Sequence, residues 1–510
     1  MAPDHYYSRR WWILGVLCLS LVIIIIDETA LNVALPALVR ELDATSSELQ
    51  WAVDSYILVY AALLFPAGNL GDRFGRRAVL LAGLVVFGIG SVGAVVSASP
   101  GQLVASRVVM GVGGAMVMPG TLSVLAQVFP PRERAFAIGV WSGVSGVGIL
   151  LGPIVAGWLL EHYWWGSIFL INIPIVIVTL VLGRALLPES RDPAAAPLDP
   201  AGSALAVVGL AALLYGVIEW PVYGIRNPRI VAGLVVGTAA LVAFVVVELR
   251  SEAPMFDVRV LRRPPVAMST WVITAVFLTL VGSGFALTQY LQLVQGRSPI
   301  VTGLLFGPTT ITWSAVAPAS PALVRRFGHR NVLVTGLAVT AAGYVALATL
   351  GTGRDLTLLV TVFAVQGAGM GMATTPVTDL VMGGLPPERS GIASAINDTA
   401  RQVGGAFGVA ILGSVLAAGY RGAYTGPPVG GAADNLASAL GLGDPGIVPM
   451  AMDAFVRGFG WVMAISAAII AVVTVYVALV VDRGAGREAR GEGSSTLTAA
   501  PDPAAGVSAP

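Results

Sequence analysis

About fourteen times along this chain an apolar run of roughly 20 residues recurs between short polar breaks, the length of helix needed to cross a bilayer. The runs lie near 11–36, 48–67, 78–98, 101–126, 134–160, 164–187, 200–220, 229–248, 267–292, 299–320, 331–350, 356–382, 391–418 and 455–481. Nothing else in the sequence restricts its fold as strongly. In lipid a backbone must satisfy its own polar groups, so only helices and closed barrels span. Runs of this length predict helices, and an all-α integral membrane bundle. The first run is too long for a signal peptide's apolar core of about 7–15 residues, and is read as an uncleaved helix.

Composition excludes most other classes. Charged residues make up 11% and hydrophobic ones 56%, with a mean hydropathy of +0.83; a soluble domain carries about 25% charged residues. A net charge of +1 offers no electrostatic footprint for nucleic acid. The chain has no lysine, so all 29 basic residues are arginine, and a P-loop for ATP cannot be built. One cysteine, Cys18, and three scattered histidines give no disulfide, no metal-ligand cluster and no expected cofactor. No nucleophile–base arrangement is recognisable, so the chain is not expected to be an enzyme.

Arginine placement orients the bundle. With the N-terminus inside, about twenty arginines fall in cytoplasmic segments and about seven in external ones. Both termini are therefore expected in the cytoplasm, and the protein in the cell membrane. Residues 187–200, "LPESRDPAAAPLDP", read as a linker, 419–453 as a long external loop, and 484–510 as a disordered cytoplasmic tail. Two loop sequences recur. "GDRFGRRAVL" (71–80) resembles "VRRFGHRNVL" (324–333), and "FPPRERAFAIG" (129–139) resembles "LPPERSGIASA" (385–395), at nearly one offset. Duplication then predicts a six-helix bundle over 1–187, a linker with two inserted helices over 188–260, and a second six-helix bundle over 261–483. Internal repeats of this kind mark secondary transporters, with the site between repeats near the midplane.

Four motifs add a family resemblance. "GNLGDRFGRRAVL" (68–80) resembles the helix 2–3 loop signature of the major facilitator superfamily. "LVASRVVMGVGGA" (103–115) resembles its helix 4 signature, with Met110 where Gln is frequent. "GVGILLGPIVAGW" (146–158) is similar to the helix 5 signature of its antiporters, closing on Ala156–Gly157 rather than paired glycines. "DETALNVALP" (27–36) resembles the helix 1 signature of the fourteen-helix drug:proton antiporters. The resemblance spans residues 10 to about 480 and implies the major-facilitator fold: two six-helix pseudo-repeats plus two inserted helices.

Asp27 and Glu28 sit side by side in an oily run, where each charge costs about 2.5–3.5 kcal/mol on insertion scales. Adjacent helix positions diverge by roughly 100°, so the two acids face different ways. The resemblance implies proton coupling for Asp27, with Arg107 in helix 4, and a second acidic site at Asp54. Glu28 sits where that signature varies and is a candidate for selecting cations, on one face with Asn32. Each acid can also be a packing group paired with a buried donor. Asp398 and Arg401, three apart, share a helical face and can pair. That pair either braces the second bundle or forms a second proton or substrate site. Asp379 is read as a structural or gating charge.

Tyr56, Trp141, Phe285, Tyr290 and Trp313 are aromatic candidates for a drug cavity, and Gln289 is a further polar substrate candidate. The gate is expected in the loop glycines Gly68 and Gly75 with Asp72, Arg73 and Arg76. Asp72 is placed to cap a helix of the other half, which by resemblance starts near Ser390. Gly148, Gly152, Pro153 and Gly157 make helix 5 a kinked, closely packing element. The expected activity is proton-driven export of lipophilic drugs or antibiotics, cationic or neutral, with no ATP and no metal. A symporter or uniporter of a small metabolite, and a non-transporting sensor on the same scaffold, remain as alternatives.

Overall fold

The computed structural model describes residues 8–42, 46–191, 199–251, 258–353, 356–386 and 389–488. Fourteen of its helices are long and apolar enough to cross a membrane. They are numbered in chain order: α1 (Arg10–Leu42), α2 (Ser46–Phe74), α3 (Arg76–Val95), α4 (Pro100–Val128), α5 (Pro131–His162), α6 (Asn172–Leu186, its span completed by the turn Ser167–Leu170) and α7 (Pro200–Tyr223). There follow α8 (Pro228–Arg250), α9 (Pro264–Gln289), α10 (Gly307–Phe327), α11 (His329–Ala348), α12 (Leu356–Gly383), α13 (Ser390–Ala423) and α14 (Val448–Glu488). Each matches one of the apolar runs of the sequence. A π-helical turn, Tyr290–Val294, continues α9, and a short helix, Pro299–Leu305, leads into α10.

Local sequence sets where these helices begin. Pro100, Pro200, Pro228 and Pro299 each open a helix. Proline's fixed φ and missing N–H suit that position. The residue before each is a capper: Ser99, Asp199, Asn227 and Ser298 accept backbone N–H groups of the first turn. The repeated loops are alike in backbone as well as in sequence. Gly75 and Gly328 both take positive φ, 112° and 80°, and cap α3 and α11. A side chain at either position would be strained.

Helices α1–α6 pack among themselves, and so do α9–α14. The two groups meet along two seams. One joins α5 to α10, and the other joins α2 to α13. These are corresponding pairs, the fifth helix of one repeat against the second of the other, as expected of two halves related by a pseudo-two-fold axis. Of the inserted helices, α7 packs on α2 and α13, with Trp51 and Tyr215 stacked 6.0 Å apart, and α8 packs on the outside of α7. The long loop is shorter than the sequence suggested. Helix α13 runs on to Ala423, where the Tyr420 hydroxyl donates to Ala432 O at 2.5 Å, and α14 already begins at Val448. Of the sequence-read tail, residues 484–488 continue α14 and 489–510 lie outside the described residues.

Candidate functional site: a buried ion pair, a central crevice and a latch

Asp27 on α1 is 2% exposed and Arg107 on α4 is 1% exposed. The Arg107 Nη1 donates to Asp27 Oδ2 across the interior of the first half. A buried pair of this kind holds only when its remaining lone pairs and protons are also met. They are met here by three other helices. Asn172 Nδ2 on α6 donates to Asp27 Oδ1 at 3.0 Å and lies 3.3 Å from Ser91 Oγ on α3. Arg107 Nε donates to Ala52 O on α2 at 3.0 Å, and its guanidinium lies over the Tyr56 ring at 4.2 Å. Tyr56 in turn stacks on Tyr60, nearly parallel, at 5.7 Å. Tyr56, a sequence candidate for drug contact, is thus fully buried under Arg107.

Glu28 diverges from Asp27 as the helical period requires. It lies within electrostatic reach of both Arg107 and Arg401, hence toward the middle of the molecule. The side chain of Asn32 lies outside the described residues. Asp54 is half-buried on α2, roughly 200° around the helix from Ala52, whose carbonyl holds Arg107.

The second half contributes a separate polar cluster. Asp398 on α13 is 1% exposed and accepts from Asn397 Nδ2 at 3.0 Å and Ser394 Oγ at 3.3 Å. Thr378 on α12 donates to Asn397 Oδ1 at 3.1 Å. The pairing of Asp398 with Arg401 that their spacing allows is not made among the described ion pairs. Instead the Arg401 guanidinium sits over Phe277 of α9 at 4.5 Å and Trp141 of α5 at 5.4 Å. Trp141 is fixed by its Nε1 donating to Thr121 Oγ1 at 3.2 Å. These rings, Trp313, Thr374 and Asn397 line a crevice between the halves of about 10 Å³. That is room for about one water, where drug-sized sites reach 300–1,000 Å³. In this conformation the crevice is too small for a drug-sized compound.

Three other candidates lie elsewhere. Gln289 ends α9, 12 residues or about 18 Å along the helix from Phe277, and is not among the crevice residues. Phe285 points outward, 43% exposed. Tyr290 is buried at the end of the second half away from the arginine-rich loops, donating to Gly351 O at 2.7 Å.

Of the residues read as a gate, Gly68, Asp72 and Arg76 form a latch-like contact between the halves on the arginine-rich side. Asp72, at the end of α2, accepts from the backbone N–H groups of Gly391 and Ile392 at 3.1 and 3.2 Å. It caps α13, which starts at Ser390. Arg76, fully buried, donates to Asp72 Oδ1 through Nε at 2.8 Å and Nη2 at 2.5 Å. Gly68 leaves space for this contact: a Cβ there would stand 2.7 Å from Gly391 O. Arg73 lies outside it, over Phe74 at 5.7 Å. Beside the latch, Arg134 of α5 pairs with Asp379 of α12 at 3.0 Å, across the halves. The repeat is unequal here, since Arg325 stands where the first loop has Asp72.

The small residues of α5 divide between two neighbours. A Cβ on Gly148 would meet Ile25, and one on Gly152 would meet Thr29 and Ile26 O, so these two glycines seat α5 on α1 beside the acid pair. Pro153 and Gly157 abut Gly303 and Ile300 of the short helix before α10. The tight crossing to α10 is made by Gly139 and Gly143, against Ala317–Pro318 and Ser314, and Ser314 Oγ donates to Gly143 O at 2.6 Å. The sequence reading did not single these two out as gating positions. It also missed Asn172 and Ser91. Their signal was present in kind, because an amide inside a spanning run needs an internal partner.

The description of the Major Facilitator Superfamily matches residues 17–409. The chain belongs to that superfamily. Within it, the chain is 36% identical over 415 residues to the multidrug efflux pump LfrA of Mycolicibacterium smegmatis, covering 81% of this chain and 82% of that one. It is 32% identical over 411 residues to the tetracenomycin C resistance and export protein of Streptomyces glaucescens, covering 80% and 76%. Among solved structures, the superfamily's proton:xylose symporter XylE superposes with a TM-score of 0.61 over 92% of this chain and 95% of that one, at 15% identity. That last likeness concerns the fold alone. Family and fold are those of a multi-pass membrane transporter, and the relatives named here are exporters of drugs and an antibiotic.

Proposed function

We propose that this superfamily member exports lipophilic drugs or antibiotics across the cell membrane in exchange for protons, with its arginine-rich side and both termini in the cytoplasm. The Asp27–Arg107 pair carries the reading. It is fully buried, braced by Asn172 and Ala52, and separate from the central crevice. A proton on Asp27 cancels the charge that holds Arg107. Arg107 then leaves α1 while still bonded to α2 and stacked on Tyr56. Because Gly148 and Gly152 seat α5 on the same stretch of α1, a change in α1 reaches the helix that crosses to the other half. Glu28 and Asp398 both lie within electrostatic reach of Arg401, and Asp398 is held by the crevice residue Asn397. They are assigned to substrate charge and to a second protonation step, and Asp54 to the outer mouth. The latch of Gly68, Asp72 and Arg76 on Gly391 and Ile392 closes the cytoplasmic side in the outward-facing state. The proton gradient supplies the drive, so no cofactor enters the scheme.

The test is transport in proteoliposomes under an imposed pH gradient, reading a lipophilic cation and a neutral antibiotic. Movement against the proton flow, lost in Asp27→Asn, is the expected result. Equal transport by wild type and Asp27→Asn removes Asp27 from coupling. Co-transport with the proton refutes export.

A further inference from the structure

We infer that Trp141 and Phe277 form a cation-recognising box, and that Arg401 is its tethered occupant, displaced when a cationic substrate binds. The inference rests on the reading of the chain as a transporter of lipophilic compounds and names where their charge sits. Three observations carry it. The guanidinium lies over two aromatic rings, at 4.5 and 5.4 Å, and those rings come from different halves, Phe277 from α9 and Trp141 from α5. The box lies in the crevice between the halves, with polar groups from α12 and α13 beside it. The anion nearest in sequence, Asp398, is taken by Asn397 and Ser394 rather than by Arg401.

The chemistry follows from this placement. Aromatic faces attract a cation by their quadrupole, and most strongly where water is excluded. A guanidinium that could reach a carboxylate three residues away on its own helix sits instead on two rings. A flat or bulky lipophilic cation offers the same charge with more apolar area, and so competes for the same faces. The displaced Arg401 has a destination in Asp398, one turn back on α13. Substrate binding then swaps a cation–π contact bridging the halves for an ion pair within one half. The box therefore favours lipophilic monocations. Arg401 lowers their apparent affinity by the fraction of time it occupies the box, which also keeps the empty transporter closed at its centre.

The test is a double-mutant cycle read by binding. Tetraphenylphosphonium affinity is measured by equilibrium dialysis on purified wild type, Arg401→Gln, Trp141→Ala and the double variant, with Arg401→Lys as a charge-retaining control and size-exclusion profiles as a check on folding. Arg401→Gln is expected to bind roughly 2- to 30-fold more tightly, the span of one cation–π contact. Trp141→Ala should cost little in wild type, since it loosens the tethered and the free cation together, yet cost that full factor in the Arg401→Gln background. Arg401→Lys keeps a cation for the box but loses the planar stack, and should fall between wild type and Arg401→Gln. If Trp141→Ala costs the same in both backgrounds, Arg401 only repels cations through space and the box is overturned. Unchanged or weaker binding in Arg401→Gln overturns it as well, as does absence of binding in both wild type and Arg401→Gln. Export is separable from this: binding as described without gradient-driven transport leaves the box standing and removes the antiport reading, while transport of neutral drugs alone does the reverse.

Discussion

Replacing Asp72 by Ala removes two supports at once. The amides of Gly391 and Ile392 belong to the first turn of α13, where N–H groups have no partner within the helix, and the Asp72 oxygens at 3.1 and 3.2 Å meet that need. Losing a cap costs about 0.5–2 kcal/mol. The same carboxylate is the anion for Arg76, which is fully buried. Removing one partner of a buried pair costs about 3–5 kcal/mol, because the other charge is stranded. Both effects act through one carboxylate, so they do not simply add, and the larger sets the scale. The molecule relieves it by parting α2 from α13 and wetting Arg76. A bias of about 3 kcal/mol or more is a shift of over 100-fold toward the parted state. Amide hydrogen exchange at Gly391 and Ile392 reads this directly, and both should exchange faster by about that factor. The double variant Asp72→Ala/Arg76→Met removes the stranded charge and should recover most of the protection, leaving a deficit near the cap's own value. Unchanged exchange in Asp72→Ala, or a double variant no better than the single one, refutes the latch as the element that holds this side closed.

Three further outcomes follow from the same geometry. Gly139→Ala places a Cβ 2.5 Å from Ala317 O and 2.7 Å from Pro318 Cα, both backbone; overpacking of about 1–3 kcal/mol should lower the thermal midpoint, while Gly101→Ala, with nothing within 4 Å, should leave it unchanged. Gly152→Ala collides with Thr29, so transport should fall several-fold and return in Gly152→Ala/Thr29→Ala; failure of that rescue in proteoliposomes counts against close α1–α5 seating. Arg107→Lys keeps the charge but loses the planar fork that holds Asp27, Ala52 O and the Tyr56 face together; proton-coupled transport should drop at least tenfold with little change in melting, and a near-normal rate shows that charge alone suffices.

What the sequence disclosed depended on the range of the signal. Spanning runs are continuous along the chain, so each helix was legible; two similar loops announced the duplication, but not the positive φ that Gly75 and Gly328 share. The cap by Asp72 was expected because a resemblance named both ends of the contact. The divergence of Asp27 from Glu28 followed from helical period alone. Contacts between helices distant in sequence were not legible. Spacing puts Asp398 and Arg401 on one face, but whether Arg401 turns to the acid or to Trp141 and Phe277 depends on rings 260 and 124 positions away in the numbering. Asn172 and Ser91 lay in apolar runs without a motif, and only packing brought them to Asp27. Gly139 and Gly143 resemble the other glycines of α5 in sequence, and only the neighbouring backbone of α10 separates their role from that of Gly148 and Gly152.

The inserted pair gives this molecule an uneven casing. Inside, the α5–α10 and α2–α13 seams correspond by the pseudo-two-fold. Outside, among the described residues, α7 shingles the second, with α8 behind it. A compound dissolved in the bilayer meets two unlike walls: one seam it can touch directly, the other it reaches only past two more helices. Rocking of the halves is symmetric at the axis, yet α7 touches one helix from each half, so each cycle must slide it along α2 or along α13. The duplicated core thus carries a built-in handedness toward the lipid, with one flank left bare and the other held by a sliding bearing.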